Sequence, residues 1–140
     1  MNLNFEALEK ALLSYENSIE SLKKAKTYPT TDLAMLNTLK AGIIQNFEFT
    51  YELCWKFIKR WLSENISKTE TEGITRRHLY RMAAKHKLID DVEKWMIFHE
   101  ARNETSHTYD KAIAEEVYYK ALEFIAEAKK TYENLVKNND

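Results

Sequence analysis

The chain has 140 residues, 21 Lys or Arg and 22 Asp or Glu, so its net charge of −1 excludes polyanion binding through overall charge and leaves only local clustering. Two glycines and one proline are too few for a β-rich chain that turns about every ten residues, whereas 44% hydrophobic and 31% charged residues is the balance that amphipathic helices produce. At this length the expectation is one domain, residues 1–140, that buries roughly two thirds of its unfolded surface.

The N-terminus, Met1-Asn2-Leu3-Asn4-Phe5-Glu6, has neither a basic leader nor an apolar run, and no later stretch approaches the ~20 apolar residues of a membrane span. A soluble, cytoplasmic protein without a membrane partner is expected. From about Phe5 to Lys26, apolar residues Leu8, Leu12, Tyr15, Ile19 and Leu22 recur at spacings of three and four, which predicts a first helix. It should stop before Tyr28-Pro29, because proline cannot donate the next hydrogen bond and restricts the residue before it.

Thr31 or Asp32 can cap a second helix that runs to about Glu64, roughly 50 Å at helical rise. Its stripe is Leu36, Leu39, Ile43, Phe47, Tyr51, Cys54, Ile58 and Trp61, wide enough to contact several helices. Cys54, the one cysteine, excludes an intrachain disulfide and reads as a buried, inert thiol. Glu48, Glu52, Lys56 and Arg60 recur every four residues and read as a solvated face with i,i+4 pairs.

Asn65 to Gly73 reads as a polar loop, after which Thr75 caps a short helix to about Lys87. From Arg76 to Lys87 there are five Lys or Arg, two His and no acid. Arg77, Arg81 and Lys85 lie along one helical face, opposite Leu79, Met82, Ala83 and His86. That ridge is either an RNA-phosphate contact or an ordinary solvated face, and it bears on function only if it flanks the site described next.

Asp90 or Asp91 caps a fourth helix to about Arg102, with Val92, Trp95, Met96 and His99 at helical spacing; His99 reads as a packed, hydrogen-bonded histidine rather than a ligand. Asp110 caps a fifth helix, with Ile113, Val117, Ala121, Phe124, Ala128 and Leu135 as its core stripe, to near Lys137, beyond which the charged tail should fray. The resulting fold class is all-α: an antiparallel up-and-down four-helix bundle with an additional short helix. The aromatics Phe47, Trp55, Trp61, Tyr118, Tyr119 and Phe124 exceed what one slim bundle would hide, which favours a helical homodimer.

Between the last two helices lies Arg102-Asn103-Glu104-Thr105-Ser106-His107-Thr108-Tyr109, the candidate site. An arginine five positions before a histidine occurs twice in the chain, at Arg81/His86 and Arg102/His107, so the spacing alone carries no information. Geometry separates the two, because five residues of continuous helix leave side chains about 140° apart around the axis, as expected for Arg81 and His86. Asn103, Thr105 and Ser106 instead favour local side-chain bonds that let the chain turn, so Arg102 and His107 can converge on one anion. Arginine supplies a fixed cationic fork for phosphate oxygens, and histidine exchanges a proton near neutrality. The pair suits attack of a ribose 2′-hydroxyl on its neighbouring phosphate, with His107 in acid/base work and Arg102 stabilising the transition state. The alternative is that these residues merely cap and bridge two helix ends. Nearby His and carboxylate spacings do not form a recognisable metal set.

The segments Ile44-Gln45-Asn46-Phe47-Glu48-Phe49-Thr50-Tyr51-Glu52-Leu53-Cys54-Trp55-Lys56 and Arg102-Asn103-Glu104-Thr105-Ser106-His107-Thr108-Tyr109-Asp110 together resemble the nucleotidyltransferase substrate-binding-like proteins of the HEPN superfamily. The resemblance implies a four-helix bundle, usually a homodimer, encoded beside a minimal nucleotidyltransferase (MNT) as partner. It carries two functional expectations. One is a HepT-type, metal-independent ribonuclease toxin that needs no cofactor and is neutralised by the MNT protein. In it Arg102 and His107 match the catalytic pair, and Asn103 matches the polar residue that follows the arginine. Tyr109 matches the tyrosine that the partner adenylylates in related toxins. The other is a non-catalytic substrate-binding subunit of a two-component nucleotidyltransferase. No Gly-Ser motif with paired aspartates is present, so transferase chemistry would belong to the partner.

Overall fold

The computed structural model describes residues 2–139, and among them every regular element is helical. Helix α1 is Glu6–Lys26, α2 is Leu33–Asn65, α3 is Lys68–Thr71, α4 is Arg76–Lys85, α5 is Val92–Asn103 and α6 is Lys111–Lys137; a 3-10 turn, Glu104–His107, joins α5 to α6. The molecule is an all-α helical bundle in which α2 packs against α1, α6, α5 and α4.

The caps explain most of the boundaries. Asp32 accepts the Met35 N–H at 2.8 Å, Thr75 that of His78 at 3.2 Å, Asp91 that of Lys94 at 3.1 Å, and Asp110 those of Ala112 and Ile113 at 2.9 and 3.4 Å. Each satisfies helix-terminal N–H groups that have no intrahelical acceptor. Helix α4 closes two residues earlier than expected. Leu88 N–H bonds Ala83 O and Lys87 N–H bonds Ala84 O, with Lys87 in the left-handed region at φ 61°. This is the Schellman arrangement, with a lysine where glycine is usual.

Two expectations about where elements begin and end are corrected. The stretch from Asn65 to Gly73 is not simply a loop, since α3 forms one turn in it, capped by Ser67 through the Glu70 N–H at 3.1 Å, and buries Thr71. Ser67-Lys68-Thr69-Glu70 has the spacing of a capping box, which is the signal that could have revealed it. The C-terminus does not fray directly after Lys137. Asn139 bonds both the N–H and the C=O of Leu3 at 2.9 and 3.0 Å, and Asn138 O accepts from Trp61 Nε1 at 3.1 Å.

The core is centred on Phe124 of α6, whose ring meets Phe47, Tyr51, Trp95 and Phe98 at centroid distances of 4.9–5.8 Å. These contacts lock α5 against α2 and α6. The buried face of α5 is Trp95, Phe98 and Ala101, rotated from the expected stripe, while Val92, Met96 and His99 are half-buried. Trp95, His99 and Arg102, at spacings of four and three, consequently line the side of α5 that meets α2. The aromatic surplus is also corrected: Phe47, Trp61, Tyr118 and Phe124 are buried within this one chain, Trp55 is half-buried, and only Tyr119 is exposed. Four-sided packing of α2 hides more aromatic surface than a slim bundle would.

No helix among the described residues is long and apolar enough to cross a membrane. Cys54 is fully buried, and burial pushes its thiol far above the ordinary range, so it stays protonated.

Candidate functional site

Helix α5 ends where Arg102 to Tyr109 begins to turn back toward α6. The turn is held by its own side chains: Thr105 Oγ1 donates to Arg102 O at 2.7 Å, Ser106 Oγ to Asn103 O at 3.4 Å and Thr108 Oγ1 to Thr105 O at 3.1 Å. These bonds satisfy carbonyls that a continued helix would have used, which is why the break falls here.

Arg102 is half-buried and reaches α2. Its Nε–H donates to Glu52 at 3.1 Å, Nη2 lies 3.4 Å from Glu48, and Nη1 donates to Thr105 Oγ1 at 3.1 Å. A guanidinium has five N–H donors, so this grip fixes the fork and leaves two N–H groups for a further acceptor. Asn103, Ser106 and His107 are exposed, Tyr109 is 84% exposed, and the rings of His107 and Tyr109 meet edge-on with centroids 6.2 Å apart. Among the described residues the His107 side chain has no hydrogen bond or ion pair, and the partners of Arg102 do not include it.

Glu48 and Glu52 were expected on a solvated charge row. Glu52 does lie 4.0 Å from Lys56, but its main partner, and that of Glu48, is Arg102. Their i,i+4 spacing puts both carboxylates on one helix face, and the rotation of α5 delivers the arginine between them. The sequence held the spacing but not the partner.

The basic ridge is placed elsewhere. Arg77, Arg81 and Lys85 do share one groove, together with Glu70, His78 and His86, but no residue from 102 to 109 lines it, and Arg77 is ion-paired with Glu93. Glu93 stands in the first turn of α5 and Arg102 in its last, so Arg77 meets α5 at the end opposite Arg102. The arginine of α4 that approaches the site is Arg76, which sequence reading left off the ridge. Its guanidinium stacks 3.5 Å above the ring centroid of Trp55, whose Nε1–H donates to Glu52 at 3.1 Å.

Next to it, His99 is hydrogen-bonded as expected. Its Nδ1 lies 2.9 Å from the Tyr51 hydroxyl, which also bonds that of Tyr80. Burial first, and Arg76 second, pull the His99 pKa below its ordinary value.

A family model described as nucleotidyltransferase substrate binding protein like matches residues 3–137. A Haemophilus influenzae protein named probable ribonuclease HepT is 34% identical over 138 residues, covering 98% of this chain and 94% of its own. A solved Haemophilus influenzae structure, described as revealing the fold of a substrate binding domain of a nucleotidyltransferase, superposes with a TM-score of 0.89 at 33% identity, over 95% of this chain and 99% of that one. A solved Thermus thermophilus structure at 21% identity and a TM-score of 0.60, covering 86% of this chain and 98% of its own, shows the same fold. With a match that runs nearly end to end and a relative above 30% identity over nearly its whole length, the chain belongs to the nucleotidyltransferase substrate binding protein like family.

Proposed function

We propose that the protein is a metal-independent endoribonuclease of the HepT type, a toxin whose partner and antitoxin is a minimal nucleotidyltransferase. The observation that carries the reading is the helix break at Asn103. It presents an exposed histidine just beyond the end of α5, past an arginine whose fork is already fixed, in a chain 34% identical to a probable ribonuclease HepT. His107 is accessible to take the proton of a ribose 2′-hydroxyl and return one to the leaving 5′-oxygen. The two uncommitted N–H groups of Arg102 stabilise charge on the phosphorane oxygens, and Asn103 adds a polar contact beside them. Glu48 and Glu52 hold the arginine in register, which lowers the entropy lost when it meets phosphate. The protein acts as a homodimer, as the family resemblance implies.

Tyr109 is the control point. Its hydroxyl stands in solvent beside His107, so adenylylation by the partner would place a phosphodiester and a nucleoside where substrate phosphate must sit.

The test is cleavage of RNA in EDTA. Wild-type protein should leave 2′,3′-cyclic phosphate ends, and His107→Ala should lower the rate roughly 10²–10⁴-fold, the range for loss of a general acid/base. Equal cleavage by His107→Ala would remove the assignment. Incubation with the partner and ATP should add adenylyl mass at Tyr109, and an unchanged intact mass would remove the control role.

A second reading, a non-catalytic substrate-binding subunit, is favoured by one feature: two carboxylates already neutralise Arg102. It predicts no RNA cleavage by any form of the protein, and partner affinity indifferent to His107→Ala.

A further inference from the structure

Helices α2, α4 and α5 enclose a second cleft, of about 330 Å³, lined by Trp55, Lys59, Ile74, Arg76, Leu79 and His99. It adjoins the Arg102 site through Glu52, which bonds Arg102 with one oxygen and Trp55 with the other. Two cations reach it, and among the described residues neither Arg76 nor Lys59 has a carboxylate partner.

The hydrogen bonds beneath the cleft determine what His99 presents. Tyr80 is fully buried, and its hydroxyl has Tyr51 as its one partner among the described residues. A buried O–H left without an acceptor is costly, so Tyr80 donates to Tyr51. Tyr51, having one proton, must then donate to His99 Nδ1. With Nδ1 accepting, the neutral imidazole carries its proton on Nε2, the nitrogen left for the cleft. Protonation of Nδ1 would set two donors against each other, so the ring is held neutral and serves as a fixed N–H donor. Arg76 is preorganised as well, since stacking on Trp55 holds its plane. Trp55, Ile74 and Leu79 supply the apolar part of its lining, and the three polar groups that line it are all donors, two of them cationic.

We infer that this cleft is a phosphate-recognition subsite, taking one phosphate group of a nucleotide, carried either by an RNA strand or by a free nucleotide. His99 Nε2–H, the Arg76 guanidinium and the Lys59 ammonium are its donors. No covalent step occurs there. An RNA strand would place one of its phosphates in the cleft, and a free nucleotide would place its terminal phosphate there. The subsite stands independently of cleavage at His107.

The experiment is titration of the full-length protein, labelled with ¹⁵N, with three probes: a 2′-O-methyl RNA dodecamer that cannot be cleaved by 2′-hydroxyl attack, AMP, and inorganic phosphate. The Nε signals of Trp55 and His99 should move with the occupant. Movement with RNA at lower concentration than AMP assigns the strand as source, and the reverse assigns the free nucleotide. By anisotropy, Arg76→Gln and Lys59→Gln should each weaken the favoured probe about tenfold, as expected for a hydrogen bond to a charged group. For RNA each should also flatten the log–log salt dependence by about 0.7. Lys10→Gln, which removes the same charge from α1, should change neither. RNA cleavage by wild type and by His107→Ala is measured separately from binding at the cleft, so a failure of the cleavage assignment leaves the subsite standing, and the converse holds. Because Arg76 also packs on Trp55, its variant is checked by near-ultraviolet circular dichroism, and Lys59→Gln supplies the result if that variant unfolds. The inference is overturned if no probe moves the Trp55 or His99 signals, or if Lys59→Gln loses no more affinity than Lys10→Gln.

Discussion

Tyr51→Phe is the sharpest test of how α5 is held on α2. The substitution keeps the ring that packs against Phe124 and Trp95 and deletes the hydroxyl between Tyr80 and His99. Tyr80, with no exposure, is left with an O–H lacking an acceptor, which costs about 1–3 kcal/mol; half-buried His99 Nδ1 can turn to water and adds little. The expected loss is therefore about 2 kcal/mol. Tyr80→Phe strands no buried donor and should cost about 1 kcal/mol or less, and adding it to Tyr51→Phe should return part of the loss, with a coupling on the order of 1 kcal/mol. Urea unfolding measures all three: with a slope of about 2 kcal/mol/M, Tyr51→Phe lowers the midpoint by about 1 M. If the two single variants add, or if Tyr80→Phe is the more costly, the donor order Tyr80 to Tyr51 to His99 is refuted.

Three further outcomes are expected. Gly42 sits inside α2 and a Cβ there meets nothing within 4 Å, so Gly42→Ala should stabilise by about 1 kcal/mol in urea unfolding. Lys87→Gly runs the opposite way in chemistry and the same way in stability: relief of the left-handed backbone at φ 61° outweighs the added unfolded-state freedom, for a net gain of roughly 0.5–1 kcal/mol. A loss on thermal melting would contradict the Schellman reading. Because the His99 pKa is depressed by burial and by Arg76, the unfolded chain binds more protons below the ordinary histidine value of 6.5. Stability from this group is complete above that pH and is lost as pH falls through the folded value. The melting temperature of wild type should thus fall more between about pH 7 and 5.5 than that of His99→Asn, whose Oδ1 still accepts from Tyr51 but does not titrate. Parallel curves would show that His99 is not the group responsible.

Much of the architecture was legible in the residues taken singly. Helix starts followed from Asp32, Thr75, Asp91 and Asp110, because capping is a local bond between a side chain and N–H groups two or three residues away. The break after Asn103 was legible for the same reason, since Thr105, Ser106 and Thr108 bond backbone within their own turn. Even α3, missed, had its capping-box spacing written out.

What tertiary structure alone decided is which faces meet. Periodicity places Val92, Trp95, Phe98, His99 and Arg102 around α5 but does not say which arc turns inward, because the arc is chosen by the fit of Trp95 and Phe98 around Phe124 from α6. That rotation brings Arg102 between Glu48 and Glu52, turns a surface charge row into a clamp, and sets Arg76, rather than the Arg77, Arg81 and Lys85 ridge, beside the site. Caps and breaks are interactions among neighbours in sequence, so sequence suffices for them. The hydrogen bonds of the clamp and the tyrosine–histidine relay join residues 29 to 50 positions apart, and only packing of the aromatic core sets their geometry.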